Sequence, residues 1–404
     1  MISLRQYLRA SKDVLSKCVN ADRTIHVVFG NQAGDCDSIV CSLLQGYYLF
    51  TTTSPPAQKD LIFPVLPIPE SDFKLRGETA ALLDKCGIPT SELIFMDQVK
   101  WGEVSVGKVT LVDHNVLSER MSFLEPHVCE IIDHHVDGEL YKNTVPAESR
   151  TIDLVGSCAT LVASNFIDRS DLFFKERNSV SETSEGAGGE SNDSLISTLL
   201  FHTIVLDTVN LSPAAKKAKE LDHKVASFFC DNYKLDRNKA FDFMQSIKFD
   251  RKFWHSLSTI DQLRLDYKEY QGKACRLGIS SILLPLEELL QSPDSETFTS
   301  QTAEYMNSRG LDVLVVMTLH FCPESPGKPV RGMALAAKSL EDFNAFKNCI
   351  LESSLSSEVI KEWAFDDNKL AVASFSQGNA TASRKKVAPL LTALMSQEED
   401  STEK

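Results

Sequence analysis

A short apolar segment of the chain ends in a carboxylate followed by two imidazoles. Residues 128–132 read Val-Cys-Glu-Ile-Ile, and Asp133, His134 and His135 follow directly. An apolar run of this length predicts a buried strand, and in open α/β sheets ligands bind just beyond the carboxyl ends of the strands. Because Asp and His are costly to bury without partners, these side chains indicate a site for a metal ion, a phosphate group or both.

Further apolar runs in the first half of the chain also end in aspartate. Residues 27–38 place Asp35 and Asp37 two positions apart, just ahead of a predicted helix, and Asp113 and Asp207 each follow an apolar run. Each aspartate alone is explained equally well by a turn or a helix N-cap. Together they predict one site, since neighbouring carboxylates can hold metal ions a few ångströms apart.

The ligand types narrow the choice of metal. Carboxylates accompanied by one or two imidazoles suit Mg²⁺ or Mn²⁺ better than a zinc ion held by thiolates. Two such ions can clamp a phosphoryl group and lower the pKa of the water between them. The ten cysteines include no Cys-x-x-Cys pair, which predicts free thiols in a reducing compartment and hence a cytoplasmic location.

Basic residues near the end of the chain suggest a phosphate-binding surface. Residues 383–386 read Ser-Arg-Lys-Lys. Arg384 can present a planar fork to phosphate oxygens, and Lys385 can present a point charge. If Ser383 begins a helix, the N–H groups of that helix would also face the anion. Lys268 supplies another cation, although in isolation a solvated helix face is the simpler explanation of the Arg-Lys-Lys run.

Several other polar residues are explained without a catalytic role. The helical pattern around His202 predicts a core histidine, and Ser157 is predicted to be the N-cap of the next helix. His114 is either close to the metal ligands or a turn residue. Pro213, after Ser212, predicts the first position of a helix that continues to Phe229.

Length and charge exclude some classes of function. The 404 residues carry a net charge of −14 without a long Lys/Arg block, which argues against nucleic acid as the main ligand. No apolar stretch is long enough for a membrane span. The first residues are basic and amphipathic, which leaves a mitochondrial leader open, but a packed first helix explains their spacing better.

The alternation of strand and helix patterns predicts the domain organisation. In the first half it indicates βαβ units in a mostly parallel sheet. We predict a first domain over 1–248, with a mobile polar loop at 176–193, and a linker over 249–258. A smaller α/β domain over 259–396 and an acidic tail over 397–404 complete the chain.

Taken in order, these segments resemble the DHH phosphoesterase superfamily. The Asp-x-Lys segment at 266–268 and the Ser-Arg-Lys-Lys segment at 383–386 resemble the branch with a DHHA2 domain. Within that branch the chain is most similar to the exopolyphosphatase and prune group, which carries asparagine at the position of Asn31; residues 154–160 and 377–379 also match. The resemblance implies an N-terminal mostly parallel sheet with flanking helices, a smaller C-terminal α/β domain, and an active site in the cleft between them.

The resemblance also implies a role for each candidate residue. It implies two divalent metals, Mg²⁺ or Mn²⁺, with Co²⁺ as a further choice. The implied metal ligands are Asn31, Asp35, Asp37, Asp113, His134 and Asp207, of which Asp113 would bridge the two ions. The implied catalytic and substrate-binding residues are Asp113, His135, Lys268, Arg384 and Lys385. Asp133 would orient the histidines, as metal-binding histidines commonly require.

The implied activity is that of an exopolyphosphatase, which uses a metal-bridged water to remove terminal phosphate from short inorganic polyphosphate or from nucleoside tetraphosphates. The alternatives are an inorganic pyrophosphatase and a prune-like phosphodiesterase or regulatory protein that binds partners. A nuclease of the other DHH branch is disfavoured, because the only Gly-Gly pair is Gly188-Gly189 in the polar loop. The amide oxygen of Asn31, where pyrophosphatases carry histidine, predicts that Mg²⁺ supports activity at least as well as Mn²⁺.

Overall fold

The computed structural model describes residues 2–15, 17, 24–53, 61–174, 191–272, 275–291, 295–322, 328–365 and 370–395. The chain divides into two compact units, Met1–Ile247 and Lys248–Lys404. The predicted loop at 176–193 lies outside the described residues except for its last three, and the predicted tail at 397–404 lies entirely outside them. The predicted position of the active site between the domains stays a prediction.

A six-stranded parallel sheet forms the centre of the first unit, as the alternating pattern predicted. Its strands are β1 (Thr24–Phe29), β2 (Leu61–Leu66), β3 (Ile94–Phe95), β4 (Ser105–Val112), β5 (Val128–Asp133) and β6 (Arg150–Ile152). They lie in the order β3-β2-β1-β4-β5-β6, and every neighbouring pair is parallel. The order reverses between β1 and β4, and at such a reversal the carboxyl edge of an open α/β sheet binds ligands.

Helices pack on this sheet and explain the apolar runs in its central strands. The helices are α1 (Leu4–Leu15), α2 (Cys36–Thr52), α3 (Gly77–Lys85), α4 (Cys158–Asp168), α5 (Ser170–Phe173), α6 (Asn192–Asp207), α7 (Glu220–Tyr233) and α8 (Arg237–Lys248). Val28 and Val112 point into the core shared with α2, α4 and α6. Val27 and Leu111 point into a second core on the other face. Strands buried on both faces read as continuous apolar runs rather than alternating ones.

The segment after α6 differs from the sequence expectation. The pattern predicts a helix that begins at Pro213, but Pro213–Ala215 forms one 3₁₀ turn, and Lys216 adopts a left-handed conformation with φ 54°. Helix α7 begins at Glu220, where the Asp222 carboxylate accepts a hydrogen bond from the Lys219 backbone N–H at 2.7 Å. The prediction was wrong because a buried carboxylate, not the proline, fixes the first turn.

The second unit contains a mixed sheet. Its strands are β7 (Tyr267–Gln271), β8 (Arg276–Ile282), β9 (Val313–Phe321), β10 (Pro329–Ala337), β11 (Ser357–Phe365) and β12 (Leu370–Gln377). They lie in the order β11-β12-β10-β9-β8-β7. Only the β8–β9 pair is parallel among the strand pairs of the described part of this unit.

Helices pack on both faces of this second sheet. They are α9 (Arg251–Ser256), α10 (Thr259–Leu265), α11 (Leu286–Leu290), α12 (Ser295–Arg309), α13 (Leu340–Glu352) and α14 (Arg384–Leu394). Helices α13 and α14 share one core with the sheet, and α10, α11 and α12 share the other. The predicted linker at 249–258 includes α9, whose Trp254 is buried. None of the described helices is long and apolar enough to cross a membrane.

Candidate active site

Asp113 lies at the centre of the site, directly after β4 and next to the reversal of strand order. The residue is buried, with 2% of its surface exposed. Its backbone N–H donates to the Ile132 carbonyl at 2.9 Å, which ties it to the end of β5. Its φ of 61° lies in the left-handed region, which Asp and Asn tolerate better than most residues. Such a conformation persists only where the surroundings enforce it.

The amide of Asn31 contacts the Asp113 carboxylate from the loop after β1. Its Nδ2 donates to Asp113 Oδ2 at 2.5 Å, and its Oδ1 accepts from the Ala33 backbone N–H at 2.8 Å. In this arrangement the amide oxygen, the predicted metal ligand, faces its own loop. Rotation of the amide by half a turn would exchange the two atoms. The role of Asn31 as a ligand stays a prediction, but its place beside Asp113 is clear.

Asp37 is held in the first turn of α2 by the start of another helix. Its Oδ2 accepts from the Cys158 backbone N–H at 2.6 Å, and its Oδ1 accepts from the Ala159 N–H at 2.8 Å. The Cys41 thiol adds a third donor to Oδ1 at 3.2 Å. These N–H groups belong to the positive end of the α4 dipole, which attracts negative charge. The side chain is therefore fixed before any ion binds.

His134 presents one ring nitrogen to these carboxylates. Its Nδ1 lies 3.1 Å from the Val155 carbonyl, and because a carbonyl can only accept, Nδ1 carries the proton. The other nitrogen, Nε2, then offers a lone pair 3.3 Å from Asp113 Oδ1 and 3.9 Å from Asp37 Oδ2. Two ligands at about 2.1 Å from one ion lie roughly 3 Å apart or a little more. The spacing therefore fits a divalent ion shared by three elements.

His135 faces outward from the same edge. Its Nδ1 lies 2.8 Å from Asp133 Oδ1, and its side chain is 56% exposed. It lies 3.8 Å from Asp113 Oδ1, and the two histidine rings pack edge to face. Asp113, His134 and His135 thus offer ligand atoms that all lie within 4.8 Å of one another.

Asp133 holds both histidines in place through hydrogen bonds. Its Oδ1 accepts from the backbone N–H groups of His134 at 2.8 Å and His135 at 3.2 Å, in addition to the His135 ring. Its Oδ2 accepts from Asn115 Nδ2 at 2.5 Å. Burial opposes its ionisation, but the hydrogen bonds and charge of His135, with Asn115, hold its pKa below the usual value. Sequence reasoning missed Asn115, which follows the Asp-His pair at 113–114.

Asp35 and Asp207 complete the acidic cluster from two further elements. Asp35 caps α2, with its Oδ1 accepting from the Ser38 N–H at 3.0 Å. Asp207 is the last residue of α6 and so follows a helix, not a strand of the sheet. Burial, followed by the charges of Asp37 and Asp35, raises the pKa of both Asp113 and Asp207. A cluster of carboxylates under this mutual repulsion fits divalent cations, which would neutralise it.

The thiols near the site form hydrogen bonds within the protein, from Cys41 Sγ to Asp37 Oδ1 at 3.2 Å and from Cys158 Sγ to the Ile132 carbonyl at 3.3 Å. Cys41 and Cys158 are buried, and burial raises the pKa of both thiols, that of Cys158 to about 12. Cys36, at the start of α2, is raised in the same way. The donors that the acidic cluster offers are carboxylates and imidazole, which suit a divalent metal ion.

Asp222, which sequence reasoning also missed, supports the site although it lies far from the other site residues in the sequence. Asp222 is fully buried and accepts from the Gly156 N–H at 2.8 Å and from Thr160 Oγ1 at 2.5 Å. It thereby holds the loop that delivers Ser157 and the N–H groups of α4 to Asp37. Ser157 is the N-cap residue of α4, as predicted, but its hydroxyl makes no capping hydrogen bond.

The predicted phosphate-binding residues of the second unit lie near one edge of its sheet. Arg384, the first residue of α14, donates from Nη2 to Asp266 Oδ1 at 2.7 Å and from Nη1 to the Asp266 carbonyl at 3.1 Å. Lys268 is exposed on β7, two residues from Asp266, and Lys385 is exposed beside Arg384. The N-cap of α14, Ser383, makes no side-chain cap, and its carbonyl accepts from the Lys386 N–H at 2.8 Å, so the N–H groups of Arg384 and Lys385 are the ones that could face an anion.

Comparisons with known proteins show what this chain is similar to. A family model described as the DHHA2 domain matches residues 244–394. Exopolyphosphatase PRUNE1 of Homo sapiens is 32% identical over 402 residues, covering 97% of this chain and 80% of that protein. A Schizosaccharomyces pombe protein named "Putative exopolyphosphatase" is 27% identical over 391 residues, covering 92% of this chain and 91% of that protein.

A solved structure shares the fold. The crystal structure of the Methanococcus jannaschii "putative family II inorganic pyrophosphatase" matches with a TM-score of 0.52 and 19% identity, over 91% of this chain and 99% of that one. The family model and the relatives thus define the class as the phosphoesterase branch with a DHHA2 domain, which confirms the resemblance. The chain belongs to the exopolyphosphatase PRUNE1 family.

Proposed function

We propose that this protein hydrolyses the terminal phosphoanhydride bond of short inorganic polyphosphate in a reaction that depends on divalent metal ions. The observation that carries the proposal is the set of donors around Asp113, in which His134 Nε2 and two carboxylates converge within 4 Å. The names of the relatives support the substrate class. Nucleoside tetraphosphates, which end in the same type of bond, are further candidate substrates.

Asp35, Asp37, Asp113, His134 and Asp207, with Asn31 beside them, would hold two metal ions. Bound there, the ions would acidify the attacking water and neutralise charge on the phosphoryl group. The protein's own contribution is to fix these ligands. Asp37 and Asp113 are each held by backbone contacts from a neighbouring element, so little reorganisation accompanies binding.

His135 would contact the phosphate of the substrate. Its Nδ1 is fixed by Asp133, which leaves Nε2 on the exposed side of the ring. Asp133 would thus orient the ring so that Nε2 faces a phosphate oxygen of the substrate. In the second unit, Lys268, Arg384 and Lys385 would bind the phosphates and stabilise negative charge.

The nearest alternative is an inorganic pyrophosphatase, which the fold neighbour favours. A phosphate-release panel across pyrophosphate, tripolyphosphate, long polyphosphate and nucleoside tetraphosphates separates the two. We expect release from tripolyphosphate to exceed release from pyrophosphate; the reverse order would establish the alternative. No release from any substrate in Mg²⁺, Mn²⁺ or Co²⁺ would point instead to a regulatory protein that binds partners.

The choice of metal is a separate proposal. An oxygen ligand at Asn31 in place of an imidazole makes the site harder, so Mg²⁺ should support activity at least as well as Mn²⁺. Parallel titrations of the metal-free protein with the two ions measure this. Full activity in Mn²⁺ with almost none in Mg²⁺ would contradict it.

We also propose that the protein works in the cytoplasm. The cysteines of the described residues are free, and several are buried, as expected in a reducing compartment. Fractionation of cells that express the full chain would test the proposal, and recovery with mitochondria would instead support a leader function for the N-terminal helix.

A further inference from the structure

Arg331 lies on the same face of the second sheet as the predicted phosphate-binding residues, although no sequence motif marks it. It stands near the start of β10, where it pairs with Leu319 of β9 and Gln377 of β12. Successive side chains of a strand point to opposite faces, and Met333, two residues on, belongs to the core shared with α14. Arg331 therefore lies on the face that α14 covers, one row beyond that core.

The strand register relates Arg331 to Arg384. Arg384 contacts the Asp266 carbonyl, which accepts from the Ser281 N–H at 2.8 Å. Ser281 of β8 pairs with Met317 of β9, which in turn pairs with Met333 of β10. These residues form one row across the sheet. Arg331 lies one row further along the same face. Because β7 and β10 are three strand spacings apart, the backbones of these two strands are separated by roughly 14 Å.

The guanidinium of Arg331 has donors to spare. Its Nε donates to the Ala380 carbonyl at 2.8 Å, in the segment that leads to α14. Within the described ranges no carboxylate pairs with it, whereas Arg384 pairs with Asp266 and Arg276 with Glu269. The side chain is half-buried, and burial lowers its pKa. A partly desolvated cation with no neighbouring carboxylate is satisfied by an anionic ligand.

We propose that Arg331 binds a phosphate group of polyphosphate remote from the bond that is cleaved, and so favours chains longer than pyrophosphate. The inference rests on the proposed function. A pyrophosphate bound at Arg384 and Lys385 has only two phosphorus atoms, whereas a longer chain has further phosphates that can extend along this face of the sheet towards Arg331. Arg331 would then favour substrates by their chain length, while the acidic site performs the same reaction on each substrate.

The test compares Arg331→Met, Arg331→Lys and wild type on pyrophosphate, tripolyphosphate and long polyphosphate. We expect Arg331→Met to raise KM for long polyphosphate about tenfold or more, the loss expected for a charge-assisted hydrogen bond, with kcat and pyrophosphate hydrolysis unchanged. Arg331→Lys should restore part of the affinity. Arg276→Met, at the opposite end of the sheet, is the matched control and should leave chain-length preference unchanged.

A purely structural role predicts a different pattern. If Arg331 only fastens the segment at Ala380, Arg331→Met should impair every substrate alike and lower Tm, which would overturn the inference. Binding of long polyphosphate to Asp113→Asn protein, with and without Arg331→Met, is measured by calorimetry and needs no turnover. Failure of wild type to hydrolyse polyphosphate, with binding still dependent on Arg331, would reject the proposed function alone; equal binding by both proteins would reject the role of Arg331.

Discussion

The acidic edge of the first unit and the basic edge of the second are built in opposite ways. Asp37, Asp113 and Asp133 are buried, and each accepts hydrogen bonds from neighbouring elements. Lys268 and Lys385 are exposed and belong to flexible side-chain types. A metal site requires ligands within a few tenths of an ångström, so it is fixed in advance. The attraction of a phosphate to a cation tolerates variation in distance, so flexible lysine side chains are sufficient for it. Changes at the first edge should therefore act on chemistry and metal binding, and changes at the second on affinity.

The largest effect is expected for Asp113→Asn. Asparagine keeps the shape of the side chain and tolerates the left-handed backbone at φ 61°, but it removes the charge of the central ligand. We expect kcat to fall about a thousandfold or more, equivalent to about 4 kcal/mol. Steady-state phosphate release measures the change, and Asp113→Ala should be equally inactive.

The same variant should be more stable than wild type without metal. Burial and the charges of Asp37 and Asp35 raise the pKa of Asp113. A raised folded-state pKa means stability that is present at low pH and is lost as pH rises through it. Removal of the charge should thus raise Tm of the metal-free protein at neutral pH. If Asp113→Asn retained turnover, or if its Tm without metal were lower than that of wild type, the site would not be a cluster of mutually repelling carboxylates stabilised by metal ions.

An intermediate effect is expected for Asp133→Asn, because Asp133 orients the histidines without lying among the predicted metal ligands. The amide would present a donor or a weaker acceptor to His135 Nδ1, and the backbone N–H groups of His134 and His135 would lose a charged partner. Loss of such a supporting partner typically lowers metal affinity or activity about tenfold to a hundredfold. Metal titration by calorimetry measures it. Asp153→Asn, on the exposed loop nearby, is the control and should behave as wild type.

Lys385→Ala tests the basic edge, and its neighbour provides the control. Lys385 and Lys386 are both exposed in the first turn of α14, but only Lys385 is predicted to contact substrate. We expect KM for tripolyphosphate to rise several-fold to about tenfold in Lys385→Ala, with a smaller change in kcat. The difference should shrink at high salt, which screens exposed charges. Equal effects of Lys385→Ala and Lys386→Ala would mean that the Arg-Lys-Lys run acts only through its total positive charge and not through a specific contact of Lys385.

The two edges also differ in how far sequence predicts them. The buried strands β1, β4 and β5 follow from apolar runs, and so does the place of Asp113 and Asp133 at the ends of β4 and β5. The supporting contacts do not follow. Asp222 reaches Gly156 across 66 residues of chain, and no local pattern records such a contact.

Backbone conformation limits prediction in a similar way. Asp207 ends a helix that is followed by three left-handed residues, Val209, Asn210 and Leu211, with φ between 53° and 57°. Local hydrogen bonds hold this turn, among them Asn210 N–H to the Val205 carbonyl at 2.7 Å, against the preference of the β-branched Val209. In the second unit, β7 is an edge strand with the largely exposed sequence Tyr-Lys-Glu-Tyr-Gln, so no apolar pattern marks it as a strand.

The smallest effect is expected at Glu130, a partly buried carboxylate on β5 that lies outside the metal cluster. Its Oε2 accepts from Thr110 Oγ1 at 2.9 Å and from Gln45 Nε2 at 3.3 Å, and burial raises its pKa above the ordinary 4.5. The stability it contributes is therefore fully present below pH 4.5 and is lost as pH rises through the folded-state pKa.

Glu130→Gln should remove this loss. The new amide can also donate to Gln45 Oε1, which is buried without a hydrogen-bond partner. We expect a gain on the order of 1 kcal/mol at neutral pH that vanishes near pH 4, measured by thermal unfolding. Because Glu130 touches no predicted metal ligand, the gain should be the same with and without Mg²⁺. A gain that disappears on metal addition would mean that the acidic cluster extends down β5, and the contrast between buried carboxylates that bind ions and those that only pack would have to be redrawn.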